Sequence, residues 1–149
     1  MANKGVPANP EQPAILMKNI LIADDEPELL EEWSEGLLRQ GFEVVTCTDG
    51  KAVLPLLRAH PEIRIVVTDL RLPGLSGLEL AKLAAKMEGP ERGFILVSGH
   101  TSDSSLERLE TKPFRTLLKK PVGIRRLVTT IEQVAELLET PGNSISREG

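Results

Sequence analysis

Five short apolar runs, separated by stretches of helical periodicity, are the feature that most restricts how this chain can fold. The runs cover residues 19–23, 43–47, 64–68, 94–97 and 116–118. They are nearly continuous in apolar residues, which is typical of parallel strands that are buried on both faces. Parallel strands cannot be joined by tight turns, so a crossover segment must lie between each pair. The pattern therefore predicts strands that alternate with helices.

Five helices are predicted between and after these strands, at about residues 27–39, 52–59, 77–87, 104–109 and 123–138. In the first, Leu30, Trp33 and Leu37 fall on one helical face behind Pro27, and Gly41 marks its end. The second predicted helix contains a proline, Pro55. If Asp49 caps it, Pro55 falls past the first turn, which predicts a later start or a kink.

Alternation of strands and helices predicts an α/β fold of the (βα)5 type, a doubly wound parallel sheet with helices on both faces. Right-handed crossovers restrict the possible topologies further. In such sheets the functional crevice lies at the carboxyl ends of the strands, beside the point where the strand order reverses. The residues that follow each strand are therefore the first candidates for a functional site.

A length of 149 residues predicts one domain, which excludes a multidomain enzyme. We expect a flexible arm over residues 1–17, a globular domain over 18–138 and a polar tail over 139–149. The net charge of −4 lacks the basic excess of a nucleic-acid-binding surface. No segment has the length and apolarity of a secretory signal or a membrane span, and Cys47 is the single cysteine. A cytoplasmic protein with no direct nucleic-acid contact and no membrane insertion is predicted.

Polar residues follow four of the five predicted strands. Asp24, Asp25 and Glu26 follow the first strand, and Asp69 follows the third. The three aspartates, gathered at one edge, would repel one another unless a cation lies among them, and Mg²⁺ prefers such hard oxygen ligands. The sequence therefore predicts a magnesium site at the carboxyl edge of the sheet.

A hydroxyl and an amine complete this edge, because Ser98 follows the fourth strand and Lys119-Lys120-Pro121 the fifth. Donors of this kind hold phosphoryl oxygens. Each group has an ordinary structural interpretation when taken alone: a helix cap before Pro27, a turn at Asp69, two solvated lysines. Capping does not explain why acid, hydroxyl and amine fall at the ends of different strands, so a phosphate-bearing substrate is favoured.

Four segments of the chain resemble the receiver domain of two-component response regulators. They are ILIADDE at residues 20–26, VVTDLRLPGLSG at 66–77, VSGH at 97–100 and LKKP at 118–121. The resemblance covers residues 18–138. It implies a flavodoxin-like sheet with strand order 2-1-3-4-5, and a phosphoacceptor that assists its own phosphorylation and dephosphorylation rather than an enzyme.

Roles for individual residues follow from this resemblance. It implies that Asp69 accepts a phosphoryl group from a histidine kinase or a histidine phosphotransfer protein, and that Ser98 moves toward that group. Lys120 would pair with a phosphate oxygen, and its bond to Pro121 would be cis. The implied Mg²⁺ ligands are Asp24, Asp25, Asp69 and the backbone carbonyl of Arg71.

Two features of this chain bear on the resemblance: a second lysine–proline pair and an aliphatic residue at position 117. Lys112-Pro113 also matches the lysine–proline signature, but Lys120 follows an apolar run and so can stand at the end of a strand. Many receivers carry an aromatic residue three positions before this lysine, where this chain has Leu117 and no tyrosine at all. We expect any signal to pass through backbone and aliphatic repacking around the fourth predicted helix, the fifth strand and the last helix.

Three other functions remain as alternatives. The domain could be a receiver detached from a hybrid kinase or from a regulator with an output domain, although the short tail favours a stand-alone regulator. A flavodoxin-like flavin carrier would need a hydroxyl- and glycine-rich phosphate loop and aromatic rings, and aromatic residues make up 3% of the chain. An aspartyl phosphatase of the haloacid dehalogenase type would need an acid where Arg71 stands.

Overall fold

A five-stranded parallel sheet forms the centre of the domain in the computed structural model, which describes residues 18–99 and 115–139. The strands are β1 (Asn19–Ala23), β2 (Glu43–Cys47), β3 (Ile65–Asp69), β4 (Gly93–Ser98) and β5 (Arg115–Lys119). They pair in the order β2-β1-β3-β4-β5. This is the predicted 2-1-3-4-5 order, with the reversal between β1 and β3.

Four helices cover the sheet within the described residues: α1 (Pro27–Arg39), α2 (Val53–Ala59), α3 (Gly77–Ala84) and α4 (Ile124–Glu139). Helices α1 and α4 cover one face of the sheet, and α2 and α3 cover the other. Because side chains alternate along a strand, Ile20 and Ile22 pack toward α1 and α4, whereas Leu21 packs toward α2 and α3. None of the described helices is both long and apolar enough to cross a lipid bilayer.

Local sequence explains where the helices begin and end. Pro27 occupies the first turn of α1, and Gly41, at a φ of 93°, ends the helix in a left-handed conformation. Asp49 caps a 3₁₀ turn over Gly50–Ala52, so α2 starts later and Pro55 lies in its first turn. Ser76 and Glu79 form a reciprocal capping box at the start of α3.

Most predicted boundaries agree with the structure to within one residue. The bounds of β1, α1 and β2 are as predicted. Helix α3 ends at Ala84 rather than at residue 87, because the N–H groups of Lys86 and Met87 bond to carbonyls three residues back in tighter turns. The predicted helix at 104–109, Lys112, the arm over 1–17 and residues 140–149 lie outside the described residues.

Helices α1 and α4 pack closely at one glycine. A methyl group on Gly36 would come within 2.5 Å of Ile124 Cγ1 and 2.6 Å of Ile124 Cδ1. Glycine inside a helix costs about 0.5–1 kcal/mol relative to alanine. The absence of a side chain at this position is therefore explained by the close approach of the two helices.

We expect Gly36→Ala to destabilise the domain by about 1 kcal/mol or more, because overpacking outweighs the gain in helix propensity. Ile124 is β-branched and has little rotamer freedom with which to move away. Urea unfolding measures the difference. Glu35→Ala on the exposed side of the same helix is the control, expected within about 0.5 kcal/mol of wild type. A stabilised Gly36→Ala variant would contradict the packing described.

Candidate functional site

Three carboxylates lie together at the carboxyl edge of the sheet. Asp24 and Asp25 directly follow β1, and Asp69 is the last residue of β3. One oxygen from each lies within 4.8 Å of the others. Asp24 is fully buried, Asp25 is exposed, and the Asp69 side chain is 12% exposed. The pairing of β1 with β3 brings them together, since parallel neighbours end at the same edge.

Lys120 brings a positive charge to this cluster. Its Nζ lies 3.3 Å from Asp24 Oδ2 and 3.4 Å from Asp69 Oδ2. The backbone N–H of Lys120 donates to the carbonyl of Ser98 at 2.8 Å, and the Lys120–Pro121 peptide bond is cis, as the resemblance implied. The amine therefore reaches the carboxylates from the segment that follows β5.

Burial and charge act in opposite directions on Lys120. Burial lowers the pKa of its amine, but the carboxylates of Asp69 and Asp24 outweigh burial and hold the pKa above its usual value. Asp24 shows the converse. Burial raises the pKa of its carboxyl, and the backbone N–H of Glu26 and the amine of Lys120 offset this only in part. The site thus holds a carboxylate in surroundings that disfavour its charge.

Backbone donors fix the orientation of both central carboxylates. The N–H of Glu26 donates to Asp24 Oδ1 at 2.8 Å, and the N–H of Arg71 donates to Asp69 Oδ1 at 3.0 Å. In each case the donor lies two residues beyond the acid, in the turn that follows the strand. Gly77 permits the turn after Asp69, since a methyl group there would come within 2.6 Å of the Asp69 carbonyl oxygen.

Ser98 is the last residue of β4 and is 2% exposed. In the register of the sheet, Asp69 pairs with Val97, so Ser98 lies one residue farther along the neighbouring strand. Its backbone carbonyl accepts from Lys120, which ties the ends of β4 and β5 together. A hydroxyl thus follows the acid and precedes the amine along the edge of the sheet.

Two contributions to the site were missed from the sequence. The donor role of the Glu26 backbone carries no residue-type signal, because any residue except proline offers an N–H. The other is Trp33, whose indole Nε1–H donates to the carbonyl of Val122 at 3.1 Å. The sequence placed Trp33 in the core, and the need of a buried indole N–H for an acceptor was the available signal.

The donor set fits a hard divalent cation. Carboxylate oxygens that lie this close repel one another, and Mg²⁺ takes one or two such ligands while keeping water at its other positions. Asp24, Asp25 and Asp69 would hold the ion. The single positive charge of Lys120 lies within 3.4 Å of two of these carboxylates, so it offsets part of their mutual repulsion.

We expect Asp24→Asn to stabilise the domain at neutral pH in the absence of divalent cations, by about 0.5–2 kcal/mol, the range of typical stabilising substitutions. Burial raises the pKa of the Asp24 carboxyl above its ordinary value, so the folded state bears the cost of its charge only above that raised pKa. The gain should therefore shrink as pH falls, and vanish below the ordinary pKa of an aspartate carboxyl, where the acid is neutral in both states.

Urea unfolding in EDTA at a series of pH values measures this difference. Asp49→Asn, at an exposed acid in the loop after β2, is the matched control for the loss of one negative charge. Equal stability of Asp24→Asn and wild type at pH 7 would contradict the unfavourable burial of this charge.

Comparison with known proteins identifies the family. A sequence model of the response regulator receiver domain matches residues 20–132. The response regulator GtcR of Aneurinibacillus migulanus is 36% identical over 142 residues, which cover 89% of this chain and 55% of GtcR. The virulence sensor protein BvgS of Bordetella pertussis is 30% identical over 131 residues, which cover 80% of this chain and 10% of BvgS.

Solved structures agree in fold as well as in sequence. A response regulator receiver domain protein from Clostridium thermocellum is 28% identical, with a TM-score of 0.71, over 79% of this chain and 94% of that one. The present chain spans about half the length of GtcR and a tenth of that of BvgS. The segment that the family model matches contains β1 from Ile20 onward, all of β2 to β5 and the whole acidic cluster. The chain belongs to the receiver domain family of two-component response regulators.

Proposed function

We propose that Asp69 is the phosphoacceptor of this receiver domain. Receiver domains are signalling phosphoacceptors rather than classical enzymes, and they work with histidine kinases or phosphotransfer proteins. The observation that supports Asp69 most strongly is its place: a carboxylate at the carboxyl end of a central strand, with Lys120 Nζ at 3.4 Å and two further acids beside it. At 12% exposure its side chain can still meet a donor.

In the proposed reaction, a carboxylate oxygen of Asp69 forms a bond to phosphorus as the P–N bond of a phosphohistidine breaks. The imidazole leaves and takes up a proton from solvent. Phosphoryl transfer mainly requires positioning and charge compensation, and the Arg71 N–H already fixes one Asp69 oxygen. Lys120 is placed to pair with a phosphoryl oxygen. The Ser98 hydroxyl, on the adjacent strand, is the proposed partner of another.

Mg²⁺ is the proposed cofactor. Asp25 is the exposed acid of the cluster and is proposed as a direct ligand together with Asp69. Both oxygens of Asp24 already have partners in Glu26 and Lys120, which supports a role acting largely through water. The backbone carbonyl of Arg71 is the remaining proposed ligand. When bound, the ion supplies positive charge that neutralises the phosphoryl oxygens.

Intact mass after incubation with Mg²⁺ and acetyl phosphate tests the acceptor. Wild type should gain one phosphoryl group, and the gain should require Mg²⁺. Asp69→Asn should gain none, since the amide is not a nucleophile. Asp49→Asn, the same change at an exposed acid outside the cluster, should behave as wild type.

Two results would count against the assignment. A phosphoryl gain that persists in Asp69→Asn would move the acceptor to another residue. No gain in wild type with any donor would indicate a receiver that signals by binding alone, and the chemical roles of Asp24, Asp25 and Lys120 would be withdrawn.

The output of the domain is proposed to pass through β4 and β5 without an aromatic switch residue. Leu117 lies on β5 opposite Leu96 and packs against the core on the α2 and α3 side of the sheet. An aliphatic side chain here can change its packing but cannot swing a ring between two positions. Ser98, which a phosphoryl group would engage, lies at the end of the neighbouring strand.

Amide exchange with and without beryllofluoride, an analogue of the phosphoryl group, tests this route. We expect the exchange rates to change over residues 98–118. They should stay constant over residues 60–65, which lead into the amino end of β3, away from the acidic cluster. If the analogue binds and residues 98–118 keep their exchange rates, the proposed route is wrong.

The chain spans only part of GtcR and BvgS. Either a stand-alone regulator or a receiver within a longer protein agrees with the proposed chemistry. A histidine kinase or a histidine phosphotransfer protein is the proposed donor in both cases. We also propose a cytoplasmic location, which agrees with the presence of a single cysteine, Cys47. The structure gives no reason to retain a flavin carrier or a phosphatase.

A further inference from the structure

Helix α1 contacts the segment that presents Lys120 at two points. The indole Nε1–H of Trp33 donates to the carbonyl of Val122, two residues beyond Lys120. One turn farther along α1, Gly36 allows Ile124 to approach closely. Trp33 and Val122 are 1% and 8% exposed, so their hydrogen bond is shielded from water.

Lys120 is therefore held from both directions along the chain. On one side its backbone N–H bonds to the carbonyl of Ser98, and on the other the carbonyl of Val122 receives the indole N–H. Two residues span at most about 7 Å, so the Trp33 hydrogen bond fixes the chain close to Lys120. The amine makes its contacts with Asp24 and Asp69 at 3.3 and 3.4 Å, near the limit of a hydrogen bond.

The same helix is also joined to the acidic side of the site. It begins at Pro27, and the N–H of Glu26, just before it, donates to Asp24 Oδ1. A rigid helix thus connects the loop that carries the acids to the segment that carries the amine. Any large apolar side chain at position 33 would fill the core. Only the indole of tryptophan also supplies a hydrogen-bond donor directed at the carbonyl of Val122.

We propose that Trp33 is a positioning residue for phosphoryl transfer, which holds the Lys120 amine against Asp24 and Asp69 through its hydrogen bond to Val122. This inference rests on the proposed function of Asp69 and Lys120. Without the indole N–H, the carbonyl of the buried Val122 loses its hydrogen-bond donor. The segment that contains Lys120 and Val122 then lowers its free energy by moving toward water, which can supply a new donor. Such a movement displaces Lys120 while it leaves the three carboxylates in place.

A double-mutant cycle tests the coupling. Trp33→Phe should slow phosphate gain from acetyl phosphate by about threefold to tenfold, the effect expected for the loss of one buried hydrogen bond. In a Lys120→Ala background the same change should have no further effect, because the residue on which it acts is gone. Equal slowing in both backgrounds would overturn the proposal.

Leu37→Ala is the matched control. Leu37 lies on the same helix, is fully buried and belongs to the same core cluster, so its truncation loosens the core without removing a donor from Val122. At a temperature where all variants are folded, Leu37→Ala should be phosphorylated at the wild-type rate. If it is slowed as much as Trp33→Phe, the effect is general core damage and the proposal is overturned.

A second variant covers the case in which Trp33→Phe does not fold. The chain has one tryptophan, so replacement of tryptophan by benzothienylalanine changes only position 33. This analogue puts sulfur where the N–H was and keeps the shape of the ring. It should slow phosphate gain in the same way, and a wild-type rate would overturn the proposal.

Amide exchange separates failure of this inference from failure of the proposed function. If wild type takes up no phosphoryl group, the proposed function is wrong and the contact is judged by exchange alone. Loss of the indole N–H should speed exchange at Lys120, whose amide bonds to Ser98, by about fivefold or more relative to Leu37→Ala. Unchanged exchange there would overturn the positioning role of Trp33.

Discussion

Parallel pairing of the five strands is the constraint on which the rest of this structure depends. Strands that all run the same way must be joined by crossovers, so helices cover both faces and the interior is apolar. The same arrangement places every strand's carboxyl end at one edge. Asp24, Asp69, Ser98 and Lys120, which are far apart in the chain, meet there as a consequence of topology.

The charged carboxylates at this edge lower the stability of the folded domain. Burial raises the pKa of Asp24, and the neighbouring charge of Asp69 adds to the effect. Lys120 offsets part of this cost by lying between the two acids. Concentrated negative charge of this kind favours a divalent cation and, with the amine beside it, a phosphoryl group. The concentrated negative charge therefore both destabilises the folded domain and supports the proposed binding of a cation and a phosphoryl group.

Much of the fold was predictable because it is encoded locally. Continuous apolar runs indicated the strands, Gly41 ended α1 as predicted, and Pro55 correctly predicted the later start of α2. The end of α3 was misplaced, because a few residues of tighter turn keep the apolar spacing of a helix. Cys47 is half-buried on the edge strand β2, and burial raises the pKa of its thiol to about 11.

The sequence by itself determined the fold class, the strand order through its family resemblance, and the identity of the acids, hydroxyl and amine at the strand ends. Only the tertiary structure decided how these groups are held. The Glu26 N–H on Asp24, the Arg71 N–H on Asp69 and the indole of Trp33 on Val122 are contacts to backbone atoms. Every residue carries a carbonyl and nearly every one an N–H, so residue types specify side-chain chemistry and periodicity, but not which backbone atom a distant donor meets.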